Sequence, residues 1–237
     1  YTISSAGDHK FTCSRETENR IMVDGEGISP EDSINIYLNK VNINTSTGPA
    51  LRINVNVKAT VTIYLTGTNN LITKHTWYAG LQKVNTALLI ITTNVSDTTA
   101  GILNAHGSSD GDGAGIGGGL SGSCSNITIE SCSVIASSKY GAGIGGGKQG
   151  AGSKITINSA SVTASSTDGA GIGGGLYGAG SGSDITINSS SVTASSTNGA
   201  GIGGGKGGAG SNNITINGGS VKASSVSGSP TNEGKEV

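Results

Sequence analysis

Residues 113–119 read Gly-Ala-Gly-Ile-Gly-Gly-Gly, and the same seven residues return at 141–147, 169–175 and 199–205. The four copies begin 28, 28 and 30 residues apart. A constant period of this length is typical of a stacked array, in which each repeat buries its apolar side against its neighbours. One period is therefore expected to be one structural unit.

Two further segments recur within each period. The first reads Ile-Thr-Ile, and the second reads Val-Thr-Ala-Ser with small changes. Both alternate apolar and polar residues and are rich in β-branched side chains, which favours strands over helices. Each period therefore predicts three short strands separated by turns of Gly, Ser and Asn.

Three strands per period describe one turn of a parallel β-helix. The predicted fold is all-β, a single right-handed parallel β-helix of about seven turns; the hand follows the usual preference of parallel crossovers. Aliphatic side chains of equal phase are expected to stack inside the coil, about 4.8 Å apart. The four predicted inward ladders are Ile127, Ile155, Ile185 and Ile214; Ile129, Ile157, Ile187 and Ile216; Val134, Val162, Val192 and Val221; and Ile116, Ile144, Ile172 and Ile202.

The first half of the chain carries the same rhythm in a weaker form. Earlier copies of the Ile-Thr-Ile strand are predicted at 33–38, 61–65 and 87–91. Ala50 and Ala79 are expected to align with Ala114, the alanine of the first heptapeptide. The 35 residues between Ala79 and Ala114 exceed one period, and the excess is assigned to a loop insertion over residues 106–113.

The predicted organisation is one domain with distinct ends. Residues 1–27 do not fit the repeat and are interpreted as an N-terminal cap, because an array needs its first unit covered. Residues 28–225 form the β-helix, and residues 226–237 are a C-terminal tail or the start of a further module. An uncovered last turn would be an open sheet edge, which invites addition of another chain.

The composition favours an extracellular or cell-surface protein that binds neither nucleic acid nor membrane. The net charge is −1, so no strong attraction to polyanions follows. No stretch is apolar enough over sufficient length to span a bilayer. Serine, threonine, asparagine and glycine are abundant, while charged residues make up only 12% of the chain. Candidate glycosylation sites, each the first residue of Asn-X-Ser/Thr, are Asn44, Asn94, Asn126, Asn188 and Asn213.

Catalysis is not expected from the arrangement of polar residues. The glycine runs lack the strand-then-helix context of a nucleotide loop. The histidines His9, His75 and His106 are scattered, with no Ser/Asp arrangement around them, and the central turns carry no paired carboxylates on adjacent levels. Asp110 and Asp112 are weak candidates for calcium ligands, because calcium prefers oxygen. No other cofactor is expected.

The three cysteines are not predicted to form a disulfide within the repeat. Cys124 and Cys132 flank one Ile-Thr-Ile strand, and an extended link between them spans about 25 Å. A disulfide tolerates a Cα separation of only about 7 Å. Both are interpreted as small corner residues, and Cys13 is the odd one, with or without a partner elsewhere.

The combined heptapeptide, Ile-Thr-Ile and Val-Thr-Ala-Ser pattern resembles a group of bacterial surface proteins. These are described as carbohydrate-binding-domain-containing and have a right-handed parallel β-helix. The resemblance covers residues 34–225, and the strands beginning at Ile34 and Val61 look like the first two turns of that group. It implies binding of polysaccharide, including acidic plant sugars, with calcium as an assisting ion.

Two functional hypotheses follow. The first is a non-catalytic β-helix that binds polysaccharide, a cell-surface glycan or another surface partner, through outward polar ladders and an outward glycine face bare of side chains. The second is a structural subunit that assembles into an extracellular fibre through open ends or that glycine face. Predicted ligand-binding residues are Thr156, Asn158, Thr186, Asn188, Thr215 and Asn217, with Tyr140 and Tyr177 as aromatic sugar platforms.

Overall fold

A computed structural model describes residues 1–13, 15–178, 183–211 and 213–226. All regular structure in these residues is strand, and none of them forms a helix able to cross a membrane. In chain order the strands are β1 (Thr2–Ile3), β2 (Gly7–Thr12), β3 (Ile21–Val23), β4 (Ser33–Asn39), β5 (Asn42–Thr45), β6 (Leu51–Ile53), β7 (Thr60–Thr66), β8 (Thr68–Thr73), β9 (Leu81–Lys83), β10 (Leu89–Thr93), β11 (Ile102–His106), β12 (Ile116–Gly117), β13 (Cys124–Glu130), β14 (Ser133–Ser137), β15 (Ile144–Gly145), β16 (Gly152–Asn158), β17 (Ser161–Ser166), β18 (Ile172–Gly173), β19 (Ser183–Ser196), β20 (Ile202–Gly203) and β21 (Ile214–Ala223).

The strands stack in parallel on three faces, which confirms the predicted parallel β-helix of about seven turns. The first face is the eight-stranded sheet β1-β3-β6-β9-β12-β15-β18-β20. The second face contains β2, β4, β7, β10, β13, β16 and the first halves of β19 and β21. The third face contains β5, β8, β11, β14, β17 and the second halves of β19 and β21.

The four predicted ladders lie inside the coil. Ile127 pairs with Ile155, Val134 with Val162 and Ile116 with Ile144, each in register with the next turn. Every member is buried except Ile216, which is half-buried and packs against the same core. Burial of one such side chain stabilises the fold by about 1.5–3 kcal/mol, so the ladders form a core without many aromatic residues.

The N-terminal segment is a turn of the coil. β1 pairs with β3 on the first face, and β2 pairs with β4 on the second. Thr17 then bridges to Ile43 on the third face. Residues 1–27 therefore fit the repeat, contrary to the expectation that they do not, because Ile21 continues the row of Leu51, Leu81 and Ile116. That this first turn caps the stack stays a prediction. Of the predicted tail over 226–237, all but Val226 lies outside the described residues.

Two details of the predicted alignment also differ. Leu51 pairs with Leu81, which pairs with Ile116, so Ala50 precedes its ladder residue by one position and Ala79 by two. Ala50 is therefore out of line with the later alanines. The major insertion lies elsewhere than predicted: eight residues, 94–101, separate β10 from β11, where the other turns from β4 onward have at most two at this corner.

The glycine heptapeptide doubles back on itself around its isoleucine. In the first copy, the N–H of Ala114 donates to the carbonyl of Gly118 at 2.8 Å, and Ile116 at the tip is fully buried. The other three copies repeat this bond at 2.8–2.9 Å. The hydroxyls of Ser138, Ser166 and Ser196 close each turn by donating to the first glycine carbonyl of the copy at its start, at 2.6–2.8 Å.

This geometry overturns the predicted outward glycine face. Residues 113–119 are all buried, and a Cβ on Gly115 would lie 2.7 Å from the carbonyl oxygens of Ala105 and Gly143. A Cβ on Gly117 would lie 1.9 Å from the Gly145 carbonyl oxygen, and φ there is +134°. Glycine is required because backbone fills the space of every missing side chain. The surface is therefore not available to a ligand or a second molecule.

Candidate functional site

Two polar ladders run along the outside of the second face, which we call the ladder face. They comprise the outward residues of all eight strands, from β2 to β21. The first is Asp8, Asn35, Thr62, Ile90, Thr128, Thr156, Thr186 and Thr215. The second is Lys10, Tyr37, Tyr64, Thr92, Glu130, Asn158, Asn188 and Asn217. All six predicted Thr and Asn residues thus lie side by side on one surface.

The asparagines of the ladder face are held by one another. Asn188 Nδ2 donates to Asn158 Oδ1 at 2.8 Å, and Asn217 Nδ2 donates to Asn188 Oδ1 at 2.8 Å. Each amide group has two donors and two acceptor sites, so one chain of bonds leaves polar capacity on each residue. The side chains are therefore fixed before any ligand arrives, which lowers the entropic cost of binding.

An aromatic pair extends the same surface toward β2. The rings of Tyr37 and Tyr64 are stacked, with centroids 4.7 Å apart and 14° between their planes. Lys10 Nζ lies 5.6 Å from the Tyr37 centroid, so the stack has a cation at one end. Burial, with smaller contributions from Asp8 and Tyr64, raises the pKa of Tyr37. The predicted site omitted both tyrosines, although each occupies the fourth place of a repeated Ile-x-Ile-Tyr-Leu or Val-x-Ile-Tyr-Leu strand.

Tyr140 and Tyr177 lie away from the ladder face, beside the glycine loops. Tyr140 is half-buried between Lys139 and Lys148, whose Nζ atoms lie 4.9 and 5.2 Å from its ring centroid. Tyr177 is 57% exposed and has a left-handed backbone, with φ at +55°. Trp77, also 57% exposed, lies on the same side, since its carbonyl accepts from Leu120 N–H. The structure therefore separates the predicted aromatic platforms from the predicted polar ladders.

The two predicted calcium ligands are paired with lysines. Asp110 Oδ1 is 2.7 Å from Lys139 Nζ, and Asp112 Oδ1 is 3.0 Å from Lys148 Nζ. Among the described residues no three His, Cys, Asp or Glu side chains converge as a metal site. Calcium binding here stays a prediction, in which the ion would have to displace both lysines.

Each of the five sequon asparagines donates an intramolecular hydrogen bond from Nδ2. Their acceptors lie on neighbouring turns of the coil or at its corners. Nδ2 of Asn44, Asn94, Asn126, Asn188 and Asn213 donates to Glu16, Thr66, Thr86, Asn158 and Asp184 respectively, at 2.6–3.5 Å. Because a glycan replaces one of the two hydrogens on Nδ2, a modified asparagine would have a single N–H left for this bond.

The structure brings together one polar pair that the sequence did not indicate. His106 Nδ1 is 2.7 Å from Ser137 Oγ, across two adjacent turns of the third face. Burial lowers the pKa of His106. Among the described residues no carboxylate bonds to this histidine, so the third member of a nucleophilic triad is missing there. We assign the pair to stacking of the two turns.

One lysine, Lys83, and two free thiols are buried in the core. Lys83 follows Val23 and Ile53 in one inward row, and its Nζ donates to the carbonyls of Asn85 at 2.8 Å and Ser125 at 2.7 Å. Burial lowers the pKa of Lys83. Cys124 and Cys132 are unpaired and buried, as the sequence predicted, and burial raises their pKa values to about 11 and about 12.

Comparison with known families matches the central turns. The family model described as Beta helix repeat matches residues 127–148, 155–176, 185–211 and 214–229, less than half of the chain. The chain carries β-helix repeats. Neither the curated proteins nor the solved structures that were compared with it gave a match. The family match agrees with the parallel coil and assigns no ligand to the ladder face.

Proposed function

We propose that this chain is a non-catalytic, extracellular or cell-surface β-helix that binds polysaccharide along the ladder face. The observation that carries the proposal is the pair of outward ladders at the C-terminal end of the ladder face, where threonine hydroxyls are in register over four strands, β13 to β21, and asparagine amides over the last three. The spacing of about 4.8 Å between strands is close to the length of one sugar unit. Successive units of a polymer then meet successive turns, and weak contacts add through multivalency.

The bonding state of the ladders supports this proposal. Hydroxyl and amide groups recognise sugar hydroxyls by hydrogen bonds, and the asparagines are already ordered by their mutual bonds. Within the part of the chain that the structure describes, the half-buried hydroxyls of Thr156 and Thr186 make no hydrogen bond to the protein, so they remain available to a ligand.

A glycan panel tests the proposal. The full chain is passed over immobilised xylan, mannan, β-glucan and polygalacturonate, with and without Ca²⁺. We expect retention on at least one polymer, and loss of at least tenfold in affinity for Asn188→Leu. Asn104→Leu is the matched control, because Asn104 Nδ2 donates to Asn70 Oδ1 at the same 2.8 Å in an outward row of the third face. Equal losses in both variants, or no retention of the parent chain, would refute binding by the ladder face.

Assembly into a fibre stays a second hypothesis, with the two ends of the coil as the contact surfaces. Burial of the heptapeptide glycines removes the glycine face as a route to assembly. Light scattering on the same preparations separates the hypotheses, since a monodisperse monomer that binds glycan supports the first.

A further inference from the structure

A cleft of about 440 Å³ opens at the β2 end of the ladder face. It is lined by Lys10, Phe11 and Tyr37 of β2 and β4, and by a second wall, Asn94, Ser96 and Asp97, from the segment after β10. This volume lies within the range of about 300–1,000 Å³ found for small-molecule sites. The cleft is large enough for a sugar unit and lies in line with the second ladder.

The second wall exists because of the insertion over residues 94–101. It follows β10, three levels along the stack from β2, and reaches back to face Lys10 and Tyr37. The segment is internally bonded: Asp97 N–H donates to the Asn94 carbonyl at 3.0 Å, and Thr99 N–H donates to Asp97 Oδ1 at 2.9 Å. Asn94 N–H in turn donates to the Leu65 carbonyl at 2.8 Å, which ties the loop to β7.

The lining has the composition of a sugar site. Tyr37 provides apolar surface for the C–H groups of a ring, and the amide of Asn94 and the carboxylate of Asp97 line the same cleft. Such a mixture of aromatic surface and a few placed polar groups is typical of ligand sites. Tyr37 also belongs to the second ladder, so a unit in the cleft would be continuous with units along the face.

The charges around the cleft balance. Lys10 and Asp97 line it, Lys40 is close enough to Asp97 to favour its charged form, and Asp8 is close enough to Tyr37 to raise the pKa of that phenol. Two cations and two anions give the cleft no net charge, so it has no long-range attraction for a polyanion. We propose that this cleft is a subsite for one or two units of a neutral sugar, a proposal that rests on polysaccharide binding by the ladder face. It sets the substrate class apart from the acidic sugars that the family resemblance implies.

The test uses disaccharides, which are too short to span the ladders. Xylobiose, mannobiose, cellobiose and digalacturonate are titrated into the ¹⁵N-labelled full chain. We expect at least one neutral disaccharide to shift the amide signals of Ser96 and Asp97. Asp97→Asn, which keeps the oxygen that accepts from Thr99, and Lys10→Gln should each weaken this binding at least tenfold. Asp184→Asn, an exposed carboxyl at the far end of the ladder face, is the control and should leave it unchanged.

The outcomes separate the two proposals. If polymers bind in an Asn188-dependent manner and no disaccharide shifts Ser96 or Asp97, the subsite is wrong and the ladder function stands. Tighter binding of digalacturonate than of every neutral disaccharide overturns the neutral class. If Asp97→Asn and Lys10→Gln leave disaccharide affinity unchanged, the sugar binds elsewhere and the subsite is wrong. If neither polymers nor disaccharides bind, both proposals fall.

Discussion

Replacing one buried heptapeptide glycine by alanine should nearly unfold the protein. A Cβ on Gly145 would lie 2.0 Å from the carbonyl oxygen of Gly173, the acceptor of the 2.9 Å bond from Gly146 N–H. Contact at ordinary van der Waals distance requires the two turns to separate by more than 1 Å, roughly a quarter of their spacing of about 4.8 Å. That movement breaks the Gly146–Gly173 bond and leaves its buried groups unsatisfied, at about 1–3 kcal/mol each.

Backbone strain adds to this clash. Gly145 has φ at +136°, a conformation that costs a residue with a side chain about 1–3 kcal/mol. Together the terms reach about 3–9 kcal/mol, comparable with the whole stability of a typical domain, about 5–15 kcal/mol. Gly218→Ala is the control, because φ there is +77° and a Cβ would meet nothing within 4 Å. It should cost about 1–2 kcal/mol.

Urea denaturation, monitored by far-UV circular dichroism, measures the unfolding free energy of each variant and of the parent chain. We expect Gly145→Ala to be insoluble or to lose at least about 3 kcal/mol of unfolding free energy, and Gly218→Ala to remain folded. Equal losses in the two variants would refute the reasoning, because close approach of backbone would then not be what requires glycine in the heptapeptide.

Three further outcomes follow from the core. Ile157→Ala should lower the free energy of unfolding by about 2–5 kcal/mol, because Ile157 is fully buried within its ladder; a loss below 1 kcal/mol in the urea titration would contradict this. Burial lowers the pKa of Lys83, so the unfolded chain holds this proton more tightly than the folded chain. The unfolding free energy should therefore rise with pH between the lowered value and the ordinary lysine value of about 10.4, and Lys83→Met, denatured in parallel, should lack that rise. Native alkylation at pH 8 should modify Cys13 and spare Cys124 and Cys132, whose thiols burial keeps protonated; mass spectrometry showing three adducts before unfolding would be the contrary result.

Much of the fold was predictable because the period is nearly constant. When identical segments return every 28 residues, Ile127 and Ile155 have the same phase, and pairing in register follows from alternation alone. The same argument places Thr156 beside Thr186 and Asn158 beside Asn188 on one outward surface. The threonine and asparagine ladders of the candidate site therefore follow from the local sequence pattern.

Other features depended on distances that no local pattern contains. Whether the glycine row is buried or exposed depends on how closely Gly145 approaches Gly173 in the next turn. The cleft depends on where residues 94–101 fold back, which brings Asp97 and Lys10 into one cleft although they are far apart in sequence. Strand alternation specifies which side of one turn is apolar. Only packing of successive turns specifies how much space remains between backbones, and so whether a row without side chains is an open surface or a closed interior.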